Sequence, residues 1–341
     1  MRTIAAPLLG ALTSVPRRAA ECVILQARDG TVARHAPRTN GTDMNTRLPL
    51  LASLAGLMAA PALAQENLRI DGLEIIGKPE EGAMGFQPAV TSVAADLQSL
   101  DWLILIIISA ITLFVVALIA WVIVRYNKTR NPTPANFTHN TPVEVAWTVV
   151  PIVILVFIGA FSLPVLFEQQ EIPEADITIK ATGNQWYWSY NYVDEGFGFD
   201  SYMIGAPAVG GENRKTPEVI AQLEAAGYTE QQFLLATDTA VVIPVGKTIV
   251  VQVTGSDVIH SWAMPAFGVK QDAVPGRLAE TWFKAEKEGT YFGQCSELCG
   301  NAHAYMPITV KVVSEEIYAE WLSRAKAEYA GIPQPLTVAS N

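Results

Sequence analysis

Two stretches of the chain, Trp102–Val124 and Val145–Phe167, are apolar throughout and carry no charge. Each exceeds the ~20 residues a helix needs to cross a bilayer, and proline inside the second (Pro151, Pro164) is compatible with a membrane helix. Arg125, Lys128 and Arg130 open the short loop between them, which places that loop on the cytoplasmic side and both outer ends of the hairpin outside. The pattern thus predicts transmembrane helices at 101–126 and 144–168, a cytoplasmic loop at 127–143, and an extracytoplasmic N-terminal segment at 65–100. Beyond Glu168 the period changes to two. Ile177–Thr182, Ala240–Val245, Thr248–Thr254 and Ile308–Val313 read as half-buried strands rich in β-branched residues, punctuated by Gly and Pro. No strand alternates with a long helix, so the soluble region at 169–313 is expected to be a sandwich or barrel. Pro217–Ala226 reads as a short helix in a long insertion, and Ser314 followed by Glu315 and Glu316 caps a final helix to about Tyr329, within 314–341. Gly82–Ala94 and Thr337–Asn341 read as poorly ordered connections.

The N-terminal end has a different character. Met44-Asn-Thr-Arg47, an apolar run from Leu48 to Leu63 and the small-x-small site Ala62-Leu63-Ala64 make a secretory signal at 44–64, with the mature chain expected to begin at Gln65. Residues 1–43 precede an intact signal, hold six Arg and no Lys, and read as a start assigned too far upstream or a leader. Cys22 falls in that part.

Charge narrows the partners. Without residues 1–64, which hold seven Arg and three acids, 16 basic and 30 acidic residues remain, a net charge of −14. Nucleic acid is excluded as a natural partner, and a cationic one steered from a distance is favoured.

The chemistry is concentrated in Cys295-Ser-Glu-Leu-Cys299-Gly-Asn-Ala-His303-Ala-Tyr-Met306, with His260 upstream in a strand-like stretch. Thiolate, thioether and imidazole favour copper over hard cations. The cysteine pair alone would be equally consistent with a disulfide or a zinc site in an oxidising compartment; the two histidines and the methionine move the reading to copper. One cysteine would suffice for a mononuclear blue site, and the second allows two coppers bridged by both sulfurs.

With this Cys-x-x-x-Cys-x-x-x-His-x-x-Met motif and upstream His, the chain resembles subunit II of the haem-copper cytochrome c oxidases from about Gln65 to Trp321. The resemblance implies a two-helix transmembrane hairpin plus an all-β cupredoxin-like Greek-key sandwich, in a bacterial inner membrane with the copper domain in the periplasm. It implies that Cys295 and Cys299 bridge two copper ions, that His260 and His303 bind one each, and that Met306 and the Glu297 carbonyl are weak axial ligands. The Glu297 side chain would face a magnesium or manganese ion shared with subunit I. Trp186, in the aromatic run Gln185–Tyr190 that puts Trp186, Trp188 and Tyr190 on one strand face, aligns with the exposed indole where an electron enters. Asp200, Asp238 and Asp257 fall where the family docks cytochrome c; Asn191 stands at another position of that acidic patch, with Asp194 and Glu195 nearby. Glu144, which the helix dipole already favours at a helix start, and His139 would lie at the mouth of a proton path of subunit I. The implied partners are cytochrome c, subunits I and III, and membrane lipid. The implied activity is electron input to oxygen reduction and proton translocation carried out in subunit I.

Three other classes fit less well. A quinol oxidase subunit would lack the copper ligands. A copper-binding thiol protein or metallochaperone would be expected to alternate strands with helices, and a nitrous oxide reductase would lack the hairpin. The absence of Cys-x-x-Cys-His excludes a fused c-type haem.

Overall fold

The computed structural model describes residues 68–329; the signal at 44–64, residues 1–43 with Cys22, and the tail beyond Tyr329 lie outside them. Strand β1 (Ile75–Gly77) is followed by helix α1 (Ser92–Arg125) and helix α2 (Thr141–Gln170). Then come β2 (Ile177–Asn184), β3 (Tyr187–Tyr192), β4 (Phe197–Ser201), helix α3 (Pro217–Ala225), β5 (Val241–Pro244), β6 (Thr248–Gly255), β7 (His260–Met264), β8 (Val269–Ala273), β9 (Ala279–Lys284), β10 (Gly289–Cys295), β11 (Pro307–Val313) and helix α4 (Glu315–Tyr329). The architecture is that expected: a hairpin of two apolar helices, long enough to span a membrane, joined to a β-sandwich.

Helix α1 begins well before the predicted span. Its 34 residues at 1.5 Å rise reach about 51 Å, against about 30 Å of hydrocarbon, so the first turns stand clear of the lipid. Thr91 starts it, its hydroxyl accepting the Ala94 N–H at 3.0 Å, and Val93 and Ala94 are buried. The expectation of a poorly ordered connection through Ala94 is therefore corrected. Val90, Thr91, Val93 and Ala94 are packed into the sandwich, because Val90, Val93 and Ala94 supply apolar surface for it to cover. Helix α2 opens on Asn140, whose side chain accepts from Val143 N, and contains both prolines.

In one sheet the strands run β5-β11-β10-β7-β8, with β1 paired in parallel to the first residues of β10; in the other they run β4-β3-β2-β6-β9. Between them lie fully buried Trp188, Tyr190, Tyr192, Trp262, Phe267, Phe283 and Tyr291. Their polar tips are mostly paired, as buried polar groups need to be. The Tyr192 hydroxyl donates to Val242 O and accepts Val242 N–H, and Trp262 Nε1 donates to the Tyr190 hydroxyl at 3.3 Å. Lys311, on a strand otherwise made of Pro, Thr and aliphatic residues, is also buried. Its ammonium donates to Ile70 O at 2.9 Å and lies 5.7 Å from the centre of the Tyr228 ring. Burial holds its pKa down at about 8.

Candidate metal centre

The loop from Ser296 to Met306 joins β10 to its antiparallel neighbour β11, and β7 pairs with the other side of β10 through Trp262 and Cys295. Three adjacent strands thus deliver every candidate ligand to one end of the sandwich: His260 from the start of β7, Cys295 from the end of β10, and Cys299, His303 and Met306 from the loop. The loop is closed at its base, where Cys295 N–H donates to Met306 O, and tied to β7, where Ser296 N–H donates to Ser261 O.

The donor atoms converge. The two Sγ atoms are 3.8 Å apart, nearly twice a disulfide length, and both cysteines are free. His260 Nδ1 lies 3.9 Å from Cys295 Sγ, and His303 Nδ1 lies 3.5 Å from Cys299 Sγ, so each sulfur has an imidazole beside it. Met306 Sδ is 3.6 Å from Cys299 Sγ, and the Glu297 carbonyl oxygen is 3.3 Å from Cys295 Sγ. Cys295, Cys299, Met306 and His260 are buried, His260 wholly, whereas His303 is half-buried. Two soft sulfurs flanked by two imidazole nitrogens, with a thioether and a single carbonyl oxygen at the margins, suit copper far better than a hard cation.

Protonation follows from the same crowding. Burial pushes the Cys295 thiol up, but the imidazoles of His260 and His303 and the polar groups around Glu297 and Ser261 outweigh it, leaving a pKa of about 7. Burial and then the neighbouring Cys295 thiolate push Cys299 up to about 12.

A second layer holds the first, and it departs from the sequence reading. Asp257, expected as a docking acid, points one oxygen at His260 Nε2 (2.8 Å) and at the Val258 N–H (2.6 Å), while the other accepts Gln185 N–H (2.8 Å). Burial would raise its pKa, yet these partners hold it below the usual carboxylate range. Such a carboxylate behind a histidine fixes which ring nitrogen is free to bind metal, here Nδ1. The ring also needs room on its other side: a Cβ at Gly183 in β2 would meet the His260 ring atoms at 2.8 Å.

Trp186 is not on the strand face with Trp188 and Tyr190. It sits in the β2–β3 turn, half-buried and not exposed, because its indole packs on the metal loop and Nε1 donates to the Cys299 carbonyl at 3.2 Å. Gln185 Nε2 donates to the same carbonyl at 2.9 Å. Nothing in the sequence singled out Gln185, whose partner lies more than a hundred residues away. Trp188 and Tyr190 are core residues, as expected.

The other acids separate. Asp200 is exposed and accepts the Ser189 hydroxyl at 2.6 Å. Asp238 is half-buried, with one carboxylate oxygen accepting the N–H groups of Tyr202 (2.8 Å) and Thr239 (2.6 Å); burial raises its pKa to about 6. A stacked pair, Tyr187 and Tyr202, lies among the three, and burial followed by Asp200 raises both phenols. Asp194 accepts Thr178 N–H and Glu195 pairs with Lys326, so neither is an unengaged substitute at Asn191. The Glu297 side chain is exposed beside Leu298, itself 79% exposed. Glu144 accepts the Asn140 N–H at 3.1 Å across the start of α2, and His139 is exposed one residue before that cap.

A hairpin of helices apolar and long enough to cross a membrane, carrying a β-sandwich with a buried sulfur–imidazole cluster, is consistent with the class of membrane-anchored copper proteins. The family described as cytochrome c oxidase subunit II, transmembrane domain, matches residues 79–165, and its periplasmic-domain counterpart matches residues 177–313. Cytochrome c oxidase subunit 2 of Cereibacter sphaeroides is 65% identical over 272 residues, covering 80% of this chain and 89% of that protein. A probable subunit 2 of Rickettsia bellii is 44% identical over 247 residues (72% and 85%), and that of Zea mays 39% over 251 (72% and 90%). Among solved structures, the periplasmic domain of subunit II of the Bradyrhizobium japonicum cytochrome oxidase is 52% identical, covers 47% of this chain and 99% of that one, and has a TM-score of 0.38. The chain belongs to the cytochrome c oxidase subunit II family. It is a membrane subunit of an oxidoreductase complex, which sets aside the metallochaperone alternative.

Proposed function

We propose that this chain, as the electron-input subunit of its oxidase, holds two copper ions between Cys295 and Cys299. His260 and His303 would be terminal ligands, and Met306 and the Glu297 carbonyl weak ones. The observation that carries this reading is the pair of sulfurs 3.8 Å apart with an imidazole Nδ1 against each. When bound, the copper pair supplies a one-electron carrier whose charge is spread over both metals and both sulfurs. The protein's part is to hold that geometry still. Asp257 aims His260, Gln185 and Trp186 fix the Cys299 carbonyl, and burial of the ligands keeps water out.

Cytochrome c docks on the side of Asp200, with the exposed Asp257 and the half-buried Asp238 adding to the field. Trp186 is the point where an electron enters; its hydrogen bond to the Cys299 backbone gives a bonded route from a partly exposed ring to a ligand. The electron leaves to haem in subunit I. The exposed Glu297 carboxylate serves a magnesium or manganese ion at that interface, and Glu144 with His139 serves the cytoplasmic mouth of a proton path. The complex resides in a bacterial inner membrane with the sandwich in the periplasm, against subunit I and subunit III. The test is metal analysis of the whole chain purified in detergent without its partners. Two coppers per chain and an electron paramagnetic resonance signal split by two nuclei are expected; one copper with a four-line signal, or retained zinc after loading with both metals, overturns the reading.

A further inference from the structure

The first turn of α1 does not merely approach the sandwich. Val90 N–H donates to Ala266 O at 3.1 Å, Glu286 N–H donates to Val90 O at 2.9 Å, and the Thr91 hydroxyl, which caps the helix, also donates to Phe267 O at 2.9 Å. Val90, Thr91, Val93 and Ala94 are buried in this seam, against Ala266 and Phe267, which are fully buried. Gly268 closes it. Its φ of +70° suits glycine, and a Cβ there would lie 2.7 Å from the Ala94 backbone. At the other end of the hairpin, Trp282 Nε1 donates to Glu168 O at 3.2 Å.

Two features make the seam more than packing. Helix α1 runs from it to Arg125 without a single Gly or Pro, so it is one continuous rod from the sandwich through the apolar span. The turn it grips, Pro265–Phe267, directly follows β7, whose first residue is His260 and which is bonded on both sides, to β8 and β10. One strand therefore has the membrane helix at one end and a metal ligand at the other. Domains joined through small polar contacts move relative to each other by default; here the contact is buried and the strand is locked within its sheet.

We infer that the seam of Val90–Ala94 on Pro265–Gly268 sets the position of the copper loop relative to the membrane-embedded partner, with Gly268 and Thr91 as positioning residues for electron transfer out of the site. The inference rests on the copper reading above. Its test uses the assembled oxidase with Gly268→Val and, as a variant that keeps side-chain shape, Thr91→Val. Amide hydrogen exchange at Val90 and Glu286 should rise. The copper resonance and the rate of copper reduction by cytochrome c should stay as in the wild type. Onward transfer to haem should slow severalfold or more for Gly268→Val, since the rate of electron tunnelling falls steeply as donor and acceptor move apart. If Gly268→Val fails to assemble, a several-fold slowing in Thr91→Val carries the test. An unchanged onward rate despite faster exchange, or an altered copper resonance, overturns the inference. A wild-type chain without the two-copper signature would overturn the copper reading instead.

Discussion

Asp257→Asn separates two roles that one carboxylate could play. The substitution keeps the side-chain shape and removes the charge. Of the three donors the carboxylate accepts, His260 Nε2–H and Val258 N–H share one oxygen and can be kept by an amide oxygen, but Gln185 N–H then faces an amide nitrogen that cannot accept it. The charge-assisted bond to His260 becomes a neutral one, roughly half as strong. Loss of a carboxylate behind a metal-bound histidine typically costs 10–100-fold in metal affinity, or about 1.4–2.7 kcal/mol. With Asp257 34% exposed, the lower end of that range is expected. Copper retention against a graded series of chelators measures the affinity, and the paramagnetic spectrum reports the altered His260 environment. Should affinity and spectrum both stay unchanged while the Michaelis constant for cytochrome c rises and loses salt dependence, Asp257 is a docking acid and its contact with His260 is incidental.

Trp186→Phe should keep full copper content, lose about 1 kcal/mol with the bond to Cys299 O, and slow electron input by orders of magnitude in stopped-flow mixing with reduced cytochrome c. Asp200→Asn should raise the Michaelis constant for cytochrome c through slower association at low salt, whereas Asp238→Asn, whose amide oxygen can keep the bonds from Tyr202 and Thr239 while removing a charge that burial disfavours, should change docking less and should not lower the melting temperature at neutral pH. Lys311→Met should stabilise the sandwich at neutral pH. A lysine held at about 8 against an ordinary 10.5 destabilises the fold by about 3 kcal/mol, fully below pH 8, and this penalty fades as pH rises toward 10.5. Thermal unfolding of both forms across pH 7–10 should therefore converge at the alkaline end, and parallel curves would refute the assignment.

The helices were legible because a membrane span requires an uninterrupted apolar run, and β2, β5, β6 and β11 because β-branched residues dominate them. Strand β10, Gly-Thr-Tyr-Phe-Gly-Gln-Cys, shows no alternation because six of its seven residues are buried. Strand β4, Phe-Gly-Phe-Asp-Ser, is short and carries a glycine in its interior. The five candidate side-chain ligands were readable since four fall within twelve consecutive residues, Cys295 to Met306, and soft donors rarely cluster by chance. What surrounds them was not. Asp257 is only three residues from His260, whereas Trp186 meets Cys299 through a contact between segments 113 residues apart, and in neither case did sequence position show which way the side chain turns. The docked segment before α1 escaped for the same reason, its partners at Ala266, Phe267 and Glu286 being contributed by distant turns.

Gly183 belongs to one sheet and His260 to the other, and the imidazole lies where any side chain on residue 183 would be. Mutational drift at the two positions is therefore asymmetric. His260 can be lost without disturbing Gly183, but Gly183 cannot acquire even a methyl group while the imidazole stays in place. A lineage that abandoned the metal would be free to fill residue 183, and once it had done so, restoring His260 alone would not restore the site.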